Sequence, residues 1–207
     1  MTIKNIILLF SFILFTRTIQ AQETKNYLLI INKDTIQTDL ELTNKYKLKN
    51  GEMLEIVVKQ KETSVYNDNF ISFSYPSNLK VSATKLDQSI NQLSILKSTG
   101  NGYMIQTYSS LNPTSIIDLM IHELTKESIR YGYKKEEFPS EFKIASGQTL
   151  RGKKVILTYK DEKEVYNVLS YGGEDEGILV VTLMLNDDYQ KEDMVLIDLF
   201  LKSLRLI

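Results

Sequence analysis

Few side chains in this sequence are equipped for catalysis, and their spacing decides what they can do. His122 is the single histidine, so any histidine-dependent triad or multi-histidine metal site has to use it. His122-Glu123 opens like a zinc-binding His-Glu-x-x-His helix, but the second histidine is missing. Asp118 and His122 stand four residues apart, within reach of one another on a helix surface. A lone histidine with no matched acid and nucleophile reads more simply as a solvated side chain. Neither a phosphate-cradling Gly-x-x-x-x-Gly-Lys-Ser/Thr loop nor a Gly-x-Ser-x-Gly nucleophile turn occurs.

Acidic and aromatic runs supply the remaining candidates. Glu174, Asp175 and Glu176 offer oxygen ligands of the kind Ca²⁺ prefers, but their spacing departs from an Asp-x-Asp-x-Asp-Gly loop. Consecutive turn residues need not converge, so a solvated hairpin tip competes with the metal reading. Asp187-Asp188 and Glu192-Asp193 suit the start of a helix, where acids complement the dipole. Gly147 to Lys154 is a basic turn and strand entry that could attract an anion or simply face solvent. The most suggestive stretch is Tyr131-Gly132-Tyr133-Lys134-Lys135-Glu136-Glu137-Phe138-Pro139. Tyr131, Tyr133 and Phe138 are interface candidates there, because clustered exposed aromatics mark docking surfaces. The competing reading folds Tyr131 and Phe138 back onto a sheet.

Positioning these residues takes a β-rich scaffold. From Asn26 to about Tyr66 the pattern predicts short strands broken at Asn32-Lys33-Asp34 and at Asn50-Gly51, the latter suited to a two-residue hairpin turn. Phe70 to Tyr75 alternates so that Phe73 and Tyr75 share a face, and Pro76 ends the strand. Strands follow at Lys80 to Leu86, Ile90 to Leu96 and Tyr103 to Tyr108, forming an antiparallel meander. At Asn112-Pro113-Thr114 a cap introduces a helix with Ile116, Ile117, Met120, Leu124 and Tyr131 on one face. Asp118, His122 and Thr125 lie opposite, and Gly132 ends the helix. After a charged connection, strands resume at Thr149 to Tyr159, Val165 to Tyr171 and Ile178 to Leu185. Residues Asn186 to Asp188 cap a last helix with Leu196, Ile197, Phe200 and Leu204 as its stripe. Sheet, helix, sheet, helix is an α+β order.

Residues 1–21 carry the signature of a secretory signal peptide. Lys4 makes a positive n-region, Ile6 to Phe15 an apolar core, and Ala21 a small residue before the cleavage point. The apolar run falls short of the ~20 residues a membrane span needs. Cleavage removes Lys4 and Arg17 from 25 basic residues, leaving 23 against 26 acidic ones and a net charge of −3. Only Arg130, Arg151 and Arg205 remain as arginines, which disfavours nucleic acid as a partner. With no cysteine anywhere, disulfides and lipid attachment at a cysteine are both excluded. The expected location is the periplasm or the secreted fraction, with no stable membrane insertion after cleavage.

Three features of residues 70–207 carry a resemblance. They are the aromatic strand Phe70-Ile71-Ser72-Phe73-Ser74-Tyr75-Pro76, the mid-chain helix introduced by Asn112-Pro113-Thr114-Ser115, and the C-terminal strand pair running into Phe200-Leu201-Lys202-Ser203-Leu204. In these the chain resembles the PsbP-like (Mog-like) family, which includes DcrB-type periplasmic proteins. The resemblance implies an α/β/α sandwich, an antiparallel sheet flanked by two helices, and a role in binding or assembly more often than catalysis. It transfers no functional residue and implies no cofactor. The resulting organisation is a signal peptide at 1–21, an N-terminal β-rich extension at 22–66 and the α/β/α domain at 67–207. The expected function is an exported, non-catalytic binding or accessory protein for an envelope protein or small ligand. The alternatives are a hydrolase-like enzyme using carboxylates such as Asp118 or the acidic hairpin, and an immunity-type or chaperone-like protein.

Overall fold

The computed structural model describes residues 25–185 and 187–207. The expected signal peptide lies outside the described residues, as does Asn186 of the expected cap. The chain divides into two compact units, the first ending at Gln60 and the second running from Lys61 to Ile207.

The first unit consists of two hairpins. Strand β1 (Tyr27–Ile31) pairs antiparallel with β2 (Asp34–Thr38), and β3 (Thr43–Lys47) with β4 (Met53–Val57). The Asn50-Gly51 signal makes the second hairpin, but not through a two-residue turn. The Leu48 amide donates to the Glu52 carbonyl at 2.8 Å, which leaves a three-residue loop with Gly51 at φ 90°. Such loops need a left-handed residue at their last position, and glycine supplies it without a Cβ clash. Side chains tie the hairpins together: Asn44 Nδ2 donates to Thr38 Oγ1 at 2.6 Å and the Tyr46 hydroxyl to Asp34 at 2.5 Å.

Most of the second unit is one antiparallel sheet of seven strands. Its spatial order is β10 (Lys134–Lys143), β11 (Thr149–Tyr159), β12 (Glu162–Gly172), β13 (Gly177–Met184), β9 (Gly102–Tyr108), β8 (Ile90–Leu96) and β7 (Ser82–Asp87). A three-stranded sheet is built from β5 (Thr63–Asn67), β6 (Ile71–Pro76) and the short β14 (Arg205–Leu206), with β6 central. Because β5 pairs with β6, residues Thr63 to Tyr66 belong to this second unit. Helix α1 (Ile117–Tyr131) follows a 3₁₀ turn at Pro113–Ile116 that Asn112 caps by accepting from the Thr114 amide at 3.0 Å. Helix α2 (Gln190–Ser203) precedes β14. No helix among the described residues is long and apolar enough to cross a membrane.

Strand alternation sorts the core into two clusters. In β13, Ile178 and Val180 join one, while Leu179 and Val181 join the other. The first gathers Ile71 and Phe73 of β6, Tyr103 and Ile105 of β9, and Leu196, Ile197 and Phe200 of α2. Tyr103 stacks on Phe200 at 3.8 Å, and Phe73 meets both rings edge-on at 5.8 and 5.2 Å. Aromatic contacts of this kind each add about 0.5–1.5 kcal/mol beyond the area they bury. The second cluster sets Ile117 and Ile121 of α1 on Val155, Leu157, Tyr166 and Val168.

An α/β/α sandwich does not describe this molecule. Among the described residues strand accounts for 51% and helix for 19%, and the seven-stranded sheet dominates. Helix α1 packs on β11 and β12 without spanning the sheet, and α2 shares its layer with β6. Long strands explain the difference: β11 and β12 run to 11 residues each, and the N-terminal hairpins add strand without helix.

Two local expectations also change. The charged connection after α1 is the ten-residue edge strand β10. Its charges and Pro139 hide the strand pattern, yet both are suited to an edge, where one row of backbone groups needs no partner. On α1 the buried positions are Ile117, Ile121 and Thr125. Thr125 is therefore not on the polar face; its hydroxyl is satisfied by the Ile121 carbonyl at 2.7 Å. Tyr131, expected on the apolar face, is 70% exposed.

Candidate functional site

The end of α1 and the β11–β12 turn build a surface of aromatic rings and carboxylates. Gly132 terminates the helix at φ 115°, and its amide donates to the Ile129 and Ser128 carbonyls at 3.0 and 3.1 Å. The reversal throws Tyr131 and Tyr133 to either side of the cap. Tyr159, the last residue of β11, lies against both. Ring centroids are 5.3 Å apart for Tyr131 and Tyr159, 5.4 Å for Tyr133 and Tyr159, and 6.3 Å for Tyr131 and Tyr133. A Cβ on Gly132 would stand 3.4 Å from the Tyr159 ring, so glycine serves both the cap and this close approach.

The turn at Lys160-Asp161 completes the surface. Lys160 adopts φ 53°, a left-handed conformation that costs a non-glycine residue about 1–2 kcal/mol. Its ammonium sits 5.0 Å from the centroid of the Tyr159 ring, within cation–π range.

Alternation along β12 directs Glu162, Glu164 and Tyr166 to one face. The Tyr133 hydroxyl donates to Glu162, while Ser128 Oγ and the Tyr166 hydroxyl donate to Glu164 at 2.9 and 3.0 Å. The bond to Glu162, followed by burial, pushes the Tyr133 phenol up to about 12. Burial, followed by the neighbouring Glu164 charge, raises Tyr166. Both phenols therefore stay protonated donors at neutral pH. Beside them is a cavity of about 400 Å³ lined by Tyr133, Asp161, Glu162, Lys163, Glu164, Leu185 and Asp188. The Tyr133 ring and the acceptor oxygens of Glu162 and Glu164 beside an open cavity suit ligand capture.

Of the three aromatic candidates the structure brings two together. Tyr131 and Tyr133 share the cluster, whereas Phe138 lies in β10 opposite Lys154 and lines a separate cavity with Glu137, Pro139, Gly152 and Lys153. Tyr159 was not among the candidates, and only the register Tyr159 to Glu162 across the hairpin brings it here. Glu174, Asp175 and Glu176 are exposed in the β12–β13 turn, closed by the Gly173 amide on the Glu176 carbonyl at 2.8 Å. No group of three metal-ligating side chains converges among the described residues. His122 is exposed, and Asp118 bonds to Lys153 at 2.7 Å. Lys153 also holds Glu137 at 3.0 Å, and the Lys135 and Lys153 bonds keep the Glu137 carboxyl below its ordinary range.

No protein-family model matches the chain, and no curated protein is significantly similar to it.

Proposed function

We propose that this chain is an exported, non-catalytic binding protein that engages a protein of the bacterial envelope through Tyr131, Tyr133 and Tyr159. The observation that carries the reading is the packing of three tyrosine rings into one surface cluster, with Tyr131 70% exposed and Tyr133 lining the adjoining cavity. Tyrosine is enriched among the residues that dominate interface energies. A Gly132 cap and a tight hairpin hold the rings in place before any partner arrives, which lowers the ordering cost of association. Export rests on the charge and apolar pattern of residues 1–21.

Catalysis by the acids singled out from the sequence has less support. The carboxylate of Asp118 is engaged by Lys153, and no hydrogen bond or ion pair links it to Glu174, Asp175 or Glu176 among the described residues. Capture from envelope extract tests the binding reading. The Tyr131→Ala variant is expected to enrich its partner at least tenfold less than wild type, while its melting temperature stays within about 2 °C, as for an exposed substitution. Equal enrichment by the two proteins sinks the proposal.

A further inference from the structure

We propose that Asn50 is a site of spontaneous covalent modification, converting to aspartate and isoaspartate, that this loosens the β3–β4 hairpin, and that the fold protects the second Asn-Gly pair, Asn101-Gly102. An asparagine followed by glycine can cyclise, because no Cβ shields the following amide nitrogen. At Gly51 a Cβ would meet nothing within 4 Å, and Asn50, Gly51 and Glu52 are all exposed. The Glu52 amide donates to Asn50 Oδ1 at 3.1 Å. That oxygen takes up the negative charge when Cγ is attacked, so the donor is already placed where charge develops. The Gly51 amide donates to the Leu48 carbonyl at 2.9 Å. This bond has to open first, and at an exposed loop tip that takes local fraying, not unfolding.

The chemistry needs only water and hydroxide. Hydroxide removes the Gly51 amide proton, the nitrogen bonds to Asn50 Cγ, and the Cγ–Nδ2 bond breaks as ammonia leaves with a proton from water. One water molecule then opens the cyclic imide, at either carbonyl, to aspartate or isoaspartate. Both products replace the Nδ2 donor, 3.3 Å from Glu52 Oε2, with a carboxylate beside a carboxylate. Isoaspartate also lengthens the main chain inside a three-residue loop, so the Leu48 amide loses its fit to the Glu52 carbonyl. The first unit has little else to hold that register. Thr38 is its only buried residue among those described, and neither apolar cluster draws on it.

Asn101 has the same neighbour in sequence and the opposite surroundings. It is 0% exposed. Its Nδ2 donates to Asp193 at 2.7 Å and its Oδ1 accepts the Leu185 amide at 2.7 Å. Cyclisation has to break both bonds inside the core. Gly102 is packed so closely that a Cβ there would stand 2.1 Å from the Ile95 carbonyl oxygen.

Peptide mapping of the intact protein, aged at about pH 8 and about 37 °C and digested in mild acid, tests this. The Asn50 peptide is expected to gain about one dalton and to resolve into aspartate and isoaspartate forms, with Asn101 converting at least tenfold more slowly. In concentrated urea the two sites are expected to convert within about threefold of each other. Backbone amide resonances of β3 and β4 are expected to move in the aged folded protein while those of β9 stay. An unconverted Asn50, equal rates at the two sites in the folded protein, a tenfold difference that persists in urea, or unmoved β3 and β4 resonances after conversion each overturn the proposal.

Discussion

Replacing Asp193 with alanine should be among the most damaging single changes to the second unit. Asp193, in the first turn of α2, is only 2% exposed. Its carboxylate accepts from Lys97 Nζ at 2.5 Å, Thr99 Oγ1 at 2.9 Å and Asn101 Nδ2 at 2.7 Å, while Asn101 Oδ1 in turn accepts the Leu185 amide at 2.7 Å. One side chain thus ties the β8–β9 hairpin and the end of β13 to α2. Truncation removes at once the acceptor that Lys97, Thr99 and the Asn101 amide share. Removing one partner of a buried pair costs about 3–5 kcal/mol. Lys97 retains 31% exposure, which places the expected loss near 3 kcal/mol. For a chain of this size that lowers the melting temperature by about 6–12 °C.

The pH dependence gives an independent signature. Burial pushes the Asp193 carboxyl up, but the bonds from Lys97, Asn101 and Thr99 outweigh it and hold the group below its ordinary value. A depressed folded value contributes stability that is fully present above the unfolded aspartate value near 3.9 and is lost as pH falls through the folded one. Urea melts at pH 7 and pH 3 should therefore show wild type losing more stability on acidification than Asp193→Ala. A cost below about 1 kcal/mol at pH 7, or identical acid sensitivity in both proteins, refutes the reasoning.

Two further substitutions probe the core and the site. The Tyr103 hydroxyl is fully buried with no hydrogen-bond partner, so Tyr103→Phe keeps the stack on Phe200 and is expected to raise stability by up to about 1 kcal/mol in urea melts. A loss of more than that contradicts the assignment. Gly132→Ala adds a Cβ at φ 115° and 3.4 Å from Tyr159. It is expected to cost at least about 1 kcal/mol and to move the Tyr159 ring resonances, and a silent spectrum argues against the packing described.

Helices and core strands were legible because each carries its own period. Phe73, Phe200 and the Asn112 cap follow from local pattern alone, and all three sit as that pattern requires. What escaped depends on pairing across the chain. Lys134 to Lys143 looks like a connection because an edge strand can be charged and hold Pro139. The seven-stranded sheet appears only once β13 returns to β9 past everything inserted between them. Asp193 reads as ordinary helix-dipole complementarity, yet its partners lie in the loop from Lys97 to Asn101. Tyr159 carried no local signal either, because hairpin register, not sequence proximity, sets it beside Tyr131 and Tyr133.

The central claim is that the tyrosine face, and not the neighbouring Phe138 surface, meets the partner. Placing the photo-crosslinking residue benzoylphenylalanine at position 131 or, separately, at position 138 tests this most directly. The account predicts a discrete envelope-protein adduct on irradiation from position 131 and none from position 138. An adduct from 138 alone, or no adduct from 131, contradicts it.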